Sequence, residues 1–198
     1  VPSDDVRKTL SAALKEGRLE DAGARIQQEL ARTPDSEELA YFQGALLLAQ
    51  GKKEEGLEKL KEALNSAEER SNYTIAIAAA ARISAAYPED VNVRLRRADL
   101  YLMMGLNHAA YGYLLREFDF YRRRNDPRSL SYVVKKITTI DEANLDLTLK
   151  MAKILCYLEQ KEEARGVVES VVFTLQGQGK YDEAAKIQKE FGKLYEEL

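Results

Sequence analysis

Leu46-Leu-Leu-Ala-Gln-Gly-Lys-Lys-Glu-Glu-Gly-Leu-Glu-Lys-Leu-Lys-Glu-Ala-Leu64 is the stretch on which the fold turns. Its apolar residues Leu57, Leu60, Ala63 and Leu64 recur at helical spacing with charges between them, which reads as an amphipathic helix. Gly51 ends the apolar run before it, at the place where a left-handed cap suits glycine better than any residue with a Cβ. Glu54 and Glu55 then open the second helix, where carboxylates complement the helix dipole. The stretch predicts two helices joined by a tight turn. No segment alternates at period two over a useful length, so strands are not expected.

The step from Gly51 to Gly105, taken once more, reaches Glu159 in a segment with the same plan. That period cuts the chain into a leader, 1–36, and three units, 37–90, 91–144 and 145–198. A fixed period of this kind marks stacked helical repeats, whose neighbours bury faces that one unit could not bury alone. Each unit reads as three helices: near 37–50, 54–67 and 72–87; near 91–104, 107–123 and 127–140; and near 145–158, 162–176 and 180–197. The leader adds two, near 4–16 and 19–32. Gly17 is expected to cap like Gly51 and Gly105, and Pro34 and Pro88 follow helices they could not continue. Ser3 and Asp35 read as N-caps, Asp35 with Glu38 as a capping box, and Asp126-Pro127 as a cap with proline in the first turn. The run Thr74–Tyr87 is apolar nearly all round with Arg82 its only charge, so it reads as an internal packing helix or a self-association face.

The 198 residues are 45% hydrophobic and 32% charged, which fits an ordinary folded chain rather than a disordered one. No run approaches the roughly 20 apolar residues of a membrane helix. One cysteine, Cys156, excludes an internal disulfide and reads as a core residue; it favours a cytoplasmic setting and leaves a periplasmic one open. The opening Val-Pro-Ser, without a methionine, reads as that of a processed or excised segment, and by the style of its sequence the chain is expected to be part of a larger bacterial-type protein. Net charge is −3 but uneven: −1 in the leader, then −4, +4 and −2, so only the middle unit is basic.

Residues 46–64 resemble the core of a tetratricopeptide repeat, with a first helix, a glycine, a small residue five positions on and apolar residues along the second helix. Gly17/Ala22, Gly105/Ala110 and Gly179/Ala184 have the same spacing, and Ala164 fits with Glu159 in the glycine's place. The step from Gly17 to Gly51 has the family's own length; the later steps are longer by one helix per unit. The family's early aromatic is replaced by Val6, Ala40, Arg94 and Thr148. The resemblance implies an all-α, right-handed α-solenoid of helical hairpins forming a single repeat domain over 1–198, its added helices giving a 54-residue, three-helix period. It also implies a concave surface of first helices that grips a peptide or a partner helix.

Catalysis finds no support in the residues. His108 is the sole histidine and reads as a surface turn residue, so neither a metal site nor a Ser–His–Asp arrangement can be assembled, and no cofactor is expected. Gly177-Gln-Gly179-Lys180 follows a helix rather than a strand, which separates it from a phosphate loop. Asn72-Tyr73-Thr74 matches a glycosylation acceptor but reads more simply as helix-start residues. The acid pairs Glu162-Glu163 and Asp182-Glu183 open helices as Glu54-Glu55 does.

Two constellations are candidates for binding. Superposed first helices put Asn92, Arg96, Asp99 and Met103 of the middle unit in register with Asp146, Lys150, Lys153 and Tyr157 of the last. Glu38, Phe42, Ala45 and Ala49 occupy the same stripe in the first unit. The partner-binding residues expected on it are Phe42, Asn92, Arg96, Asp99, Met103, Lys150, Lys153 and Tyr157. The Arg96, Lys150 and Lys153 column would suit an acidic or C-terminal peptide; alternatively it is a solvated face with Asp99 pairing Lys153. The second constellation sets Arg116, Arg122, Arg123, Arg124 and Arg128 among Tyr111, Tyr113, Phe118, Phe120 and Tyr121. Arginines beside aromatics can grip phosphates and stack bases, can contact protein, or can be plain structure. A pI near 5.5 argues against nucleic acid. The expected function is therefore a non-catalytic protein–protein interaction or scaffold module, not inserted in a membrane, with a homo-oligomer left open. The alternative is a nucleic-acid-binding or regulatory helical module using the basic middle unit. The end Tyr195–Leu198 reads as a solvated cap or a docking end.

Overall fold

The computed structural model describes residues 2–140 and 145–197, leaving aside the side chains of Thr139, Leu145 and 194–197. The reading of the Tyr195–Leu198 end therefore lies outside the described residues. Eleven helices and no strand are present among them. They are α1 (Asp4–Lys15), α2 (Leu19–Leu30), α3 (Glu37–Ala49), α4 (Lys53–Glu69), α5 (Tyr73–Ala86), α6 (Val91–Met103), α7 (Asn107–Arg123), α8 (Pro127–Ile140), α9 (Leu145–Tyr157), α10 (Lys161–Gly177) and α11 (Tyr181–Glu197). The fold is all-α, built of consecutive helical hairpins of the tetratricopeptide-like kind.

The turns explain the beat that runs from Gly51 to Gly105 to Glu159. Seven connections carry one residue with φ between 52° and 80°: Gly17, Gly51, Ser71, Gly105, Asn125, Glu159 and Gly179. Each makes the same pair of bonds, as at Gly51, where Gly51 N donates to Leu48 O at 3.0 Å and Lys52 N to Leu47 O at 2.9 Å. These are Schellman ends, which satisfy the last carbonyls of a helix and reverse the chain. From Gly51 onward the left-handed residues come in close pairs, Gly51 with Ser71, Gly105 with Asn125 and Glu159 with Gly179, and a wider gap separates one pair from the next. Gly17 is in phase with Ser71, Asn125 and Gly179, so α1 and α2 take the places of α4 and α5. Five residues after each left-handed residue comes a buried one: Ala22, Gly56, Ala76, Ala110, Leu130, Ala164 and Ala184. At the six of these places that lie within one unit the new helix packs on the one just ended, which calls for a small or apolar side chain. The connections at 31–36 and 87–90 carry Pro34 and Pro88 and no left-handed residue.

Caps set the remaining ends. Ser3 accepts from Val6 N at 3.4 Å, and Asp126 accepts from Ser129 N at 3.0 Å and Ser129 Oγ at 2.6 Å. At α3 the cap is Ser36, which accepts from Leu39 N at 3.3 Å, rather than the expected Asp35. Asn72 begins α5 without a side-chain cap; its amide instead donates to Glu37 Oε1 at 3.0 Å.

The chain forms two compact units, Val1–Leu106 and Asn107–Leu198. In the first, Val6, Leu10, Ala22, Ile26, Leu39 and Phe42 form a core among α1–α3, and Leu60, Leu64, Ala76, Ala80, Ile83 and Leu100 form another across α4–α6. Glycines set the approach of α3 to α4. A Cβ at Gly44 would meet Leu60 Cγ at 2.8 Å and Gly56 O at 3.0 Å, and one at Gly56 would meet Leu48 Cγ at 2.9 Å. Arg7 Nε lies 2.5 Å from Glu38 Oε1, tying α1 to α3 where Glu38 is 3% exposed. The alanine-rich α5 packs on α4, α6 and α3, as an internal packing helix does, with Arg82 donating to Tyr41 Oη at 2.9 Å. In the second unit, Val134, Leu155, Cys156, Val168, Val172, Leu175 and Phe191 make one core over α8–α11, and Phe118 of α7 packs on it.

Candidate functional site

On the first-helix stripe, Phe42 corrects the sequence expectation. Glu38, Phe42 and Ala45 are 3%, 6% and 2% exposed because the leader hairpin lies on that face of α3. Phe42 meets Tyr41 edge to face with ring centres 5.3 Å apart, as a core aromatic. In α6, Asn92 is exposed, Asp99 is half-buried and Met103 is 62% exposed. Arg96 is clamped from α4: its Nε donates to Glu68 Oε1 at 2.6 Å, its Nη2 to Asn65 Oδ1 at 2.9 Å, and a second, shorter bond runs to Glu68 Oε2. In α9, Lys150 is exposed and Tyr157 is 70% exposed, whereas Lys153 Nζ donates to Glu190 Oε1 of α11 at 2.6 Å and lies over the Phe191 ring. The Lys153 ammonium holds the Glu190 carboxyl below its ordinary value, through the hydrogen bond first and the charge second. Two of the three cations on the stripe therefore already have internal anions.

The arginine–aromatic constellation separates into a buried and an open half. Tyr113 and Tyr121 are 3% and 1% exposed and Leu114 is fully buried, while Phe118 packs on the core of the second unit. Arg116, Asp119, Arg122, Arg123 and Arg124 are exposed and Phe120 half-buried. At about 100° per residue, Arg116 and Arg123 lie nearly on one line along α7, two turns apart, with Asp119 and Phe120 on either side of it. These residues and Arg124 line a shallow hollow of about 480 Å³. The Arg124 guanidinium sits 5.2 Å from the Phe120 ring centre, and Arg116 5.9 Å from that of Tyr113. Arg122 bonds Asp119 at 3.1 Å. Among the described residues, neither Arg116 nor Arg123 has an acidic partner. Arg128 is exposed in the first turn of α8, two residues after the cap residue Asp126. Burial would raise the Asp126 carboxyl, but the Ser129 hydroxyl and amide, the Arg124 charge and the Arg128 amide outweigh it and hold it below 3.8. Asp119 is absent from the sequence-predicted set; its place at i+3 from Arg116 and i−4 from Arg123 is the signal that identifies it.

Two other clefts lie in the second unit. One of about 370 Å³ among α8, α9 and α10 is lined by Thr138, Thr148, Ser170 and Thr174, with Lys135 Nζ 3.9 Å from Glu163 Oε1. The other, about 470 Å³ between α10 and α11, has Arg165, Glu169 and Phe191 in its walls. His108 is exposed in the first turn of α7, and Cys156 is fully buried. Gly177–Lys180 is a helix end, with Lys180 N donating to Leu175 O at 2.9 Å. No group of three or more His, Cys, Asp or Glu among the described residues is placed to hold a metal ion, and no helix there is long and apolar enough to cross a membrane.

No protein-family model and no curated protein matches the chain. Among solved structures, BtubC (BKLC) from P. vanneervenii is similar over 96% of this chain and 78% of its own, at 11% identity and a TM-score of 0.41. A variant of MamA is similar over 96% and 91%, at 18% identity and a TM-score of 0.36. A tetratricopeptide repeat protein from Parabacteroides merdae is similar over 96% and 92%, at 13% identity and a TM-score of 0.29. The assignment to a class rests on the helix hairpins, the left-handed turns and the buried residue five places after each of them. The chain is an all-α protein of tandem, tetratricopeptide-like helical hairpins.

Proposed function

We propose that the chain is a non-catalytic protein-interaction module and that the open arginine face of α7 receives an acidic segment of a partner protein. The observation that carries this reading is that Arg116 and Arg123 are exposed, aligned and without anions among the described residues, while Arg96 and Lys153 are held by Glu68 and Glu190. A guanidinium so placed offers five donors in a fork that matches a carboxylate. The buried side of α7 holds the backbone in place, so binding orders side chains alone. Asp119 within the same face supports discrete acidic side chains over a nucleic-acid strand, because a continuous run of phosphates would have to pass its carboxylate.

A displayed random-peptide library selected on the whole chain, with counter-selection on an Arg116→Glu/Arg123→Glu variant, tests the reading. Both sites are exposed, so the variant is expected to keep the parent's helicity. The expected result is acidic peptides that bind the parent and lose at least tenfold on the variant. Peptides held equally by both proteins would overturn the assignment of this face. Single-stranded oligonucleotide binding that falls steeply with salt and is lost in the variant would replace the peptide by nucleic acid.

A further inference from the structure

The arrangement of α7 specifies more than charge. Arg116 and Arg123 are seven residues apart, about 10.5 Å along the axis at 1.5 Å per residue, and the ring of Phe120 lies between them. A bound segment must therefore present two carboxylates about that far apart on one side, with an apolar side chain between. In a β-strand, side chains on one face lie about 6.7 Å apart at i,i+2 and about 13.4 Å apart at i,i+4, each roughly 3–4 Å away from that spacing. In the polyproline II conformation three residues make a turn with about 3.1 Å rise each, so i and i+3 point the same way about 9.3 Å apart. The difference of roughly 1 Å is within the reach of arginine side chains. A helical partner could place acids at i and i+7, but it needs an apolar stripe to pack upon, and the open face of α7 offers the half-buried Phe120 among charges.

Resting on the proposed function, we infer that the occupant is an extended acidic segment of polyproline II form, with Asp or Glu at i and i+3 and an apolar residue between them over Phe120. Asp119, bonded to Arg122, repels a third acid placed between the two and thereby enforces the gap. Arg124, stacked on Phe120, closes one side of the apolar contact.

The test uses twelve-residue peptides of one composition with a Glu pair at i,i+1, i,i+3 or i,i+6 and one leucine beside or within the pair, together with a helix-stapled i,i+7 peptide. Each is titrated against the whole chain by fluorescence anisotropy. The i,i+3 peptide with internal leucine is expected to bind about fivefold or more tighter than the others, the size two weak exposed ion pairs can supply. In an Asp119→Arg/Arg123→Ala variant the cations move to about 4.5 Å apart along the axis, and the preference should shift to the i,i+1 pair. Equal binding of all spacings, lost in Arg116→Glu/Arg123→Glu, overturns the spacing rule while the binding face stands. Preference for the stapled peptide replaces the extended occupant by a helix. Binding indifferent to Arg116→Glu/Arg123→Glu refutes the binding face itself.

Discussion

Replacing Gly44 with alanine separates two effects that usually travel together. In the middle of a helix, alanine is favoured over glycine by about 1 kcal/mol. At Gly112 in α7 and Gly166 in α10, where an added Cβ meets nothing within 4 Å, that gain should appear almost whole. At Gly44 the Cβ would lie 2.8 Å from Leu60 Cγ and 3.0 Å from both Leu60 N and Gly56 O. The first atom is a branch point in a side chain with no exposure, and the other two are backbone, so relief requires α3 and α4 to part. Overpacking of this kind costs about 1–3 kcal/mol, and two unyielding backbone atoms place Gly44→Ala in the upper part of that range. After the helix gain, the net loss is about 1–2 kcal/mol, or roughly 2–8 °C in Tm for a chain of this size. Gly56→Ala should cost a similar amount, since its Cβ would lie 2.9 Å from Leu48 Cγ and Cδ2. The double variant should cost less than the sum, because helices already separated for one methyl have room for the other. Thermal and urea unfolding of the four single variants and the double decide the matter. A Gly44→Ala protein stabilised as much as Gly112→Ala would refute the claim that these glycines set the hairpin's spacing.

Glu159→Gly should stabilise the second unit by about 0.5–1 kcal/mol, since a φ of 60° costs a residue with a Cβ about 1–2 kcal/mol and the glycine's added unfolded-state freedom returns part of it; an unchanged urea midpoint would count against it. Arg7→Ala leaves the 3%-exposed Glu38 without its ion-pair partner and should cost about 2 kcal/mol, less than the 3–5 of a fully buried pair because Arg7 is partly exposed, while Arg7→Met with Glu38→Leu should recover most of it. At Glu37, burial favours the neutral acid, but the Asn72 hydrogen bond, the helix-start backbone amide and Arg70 outweigh it and hold the carboxyl below 4.5. A depressed folded pKa gives stability that is complete above the unfolded value and is lost as pH falls through the folded one. The urea midpoint should therefore drop below about pH 4.5, and Glu37→Gln should shrink the difference between pH 7 and pH 3.5.

Helix positions are legible in the sequence because capping and apolar spacing are local. The predicted 107–123 and 127–140 coincide with α7 and α8, and most other ends fall within two residues. Asp35 and Ser36 are both capping residue types, and only the chain's path into α3 selects the serine. Ser71 and Asn125 escape a search for left-handed residues that is keyed to glycine, although Ala76 and Leu130 five places on carry the same mark. Phe42 reads as open when the stripe is drawn from a single helix, and what covers it comes from residues 6 to 26. The partners of Arg96 and Lys153 lie 28 and 37 residues away on other helices, and no local pattern names them.

The alternation of narrow and wide gaps between left-handed turns gives the chain a reading frame for growth. Helices of 13, 17 and 14 residues follow one another twice in α3–α8, and α9 and α10 open a third round at 13 and 17. Duplicating or deleting one whole cycle, such as 52–105, returns every turn to a helix of the length it serves. A change by the narrow or the wide gap alone would bring a proline connection where a Schellman end is required and would set a short helix in a long helix's berth. Length variation among descendants of this chain should therefore come in whole cycles, with shorter insertions confined to the connections at 31–36 and 87–90.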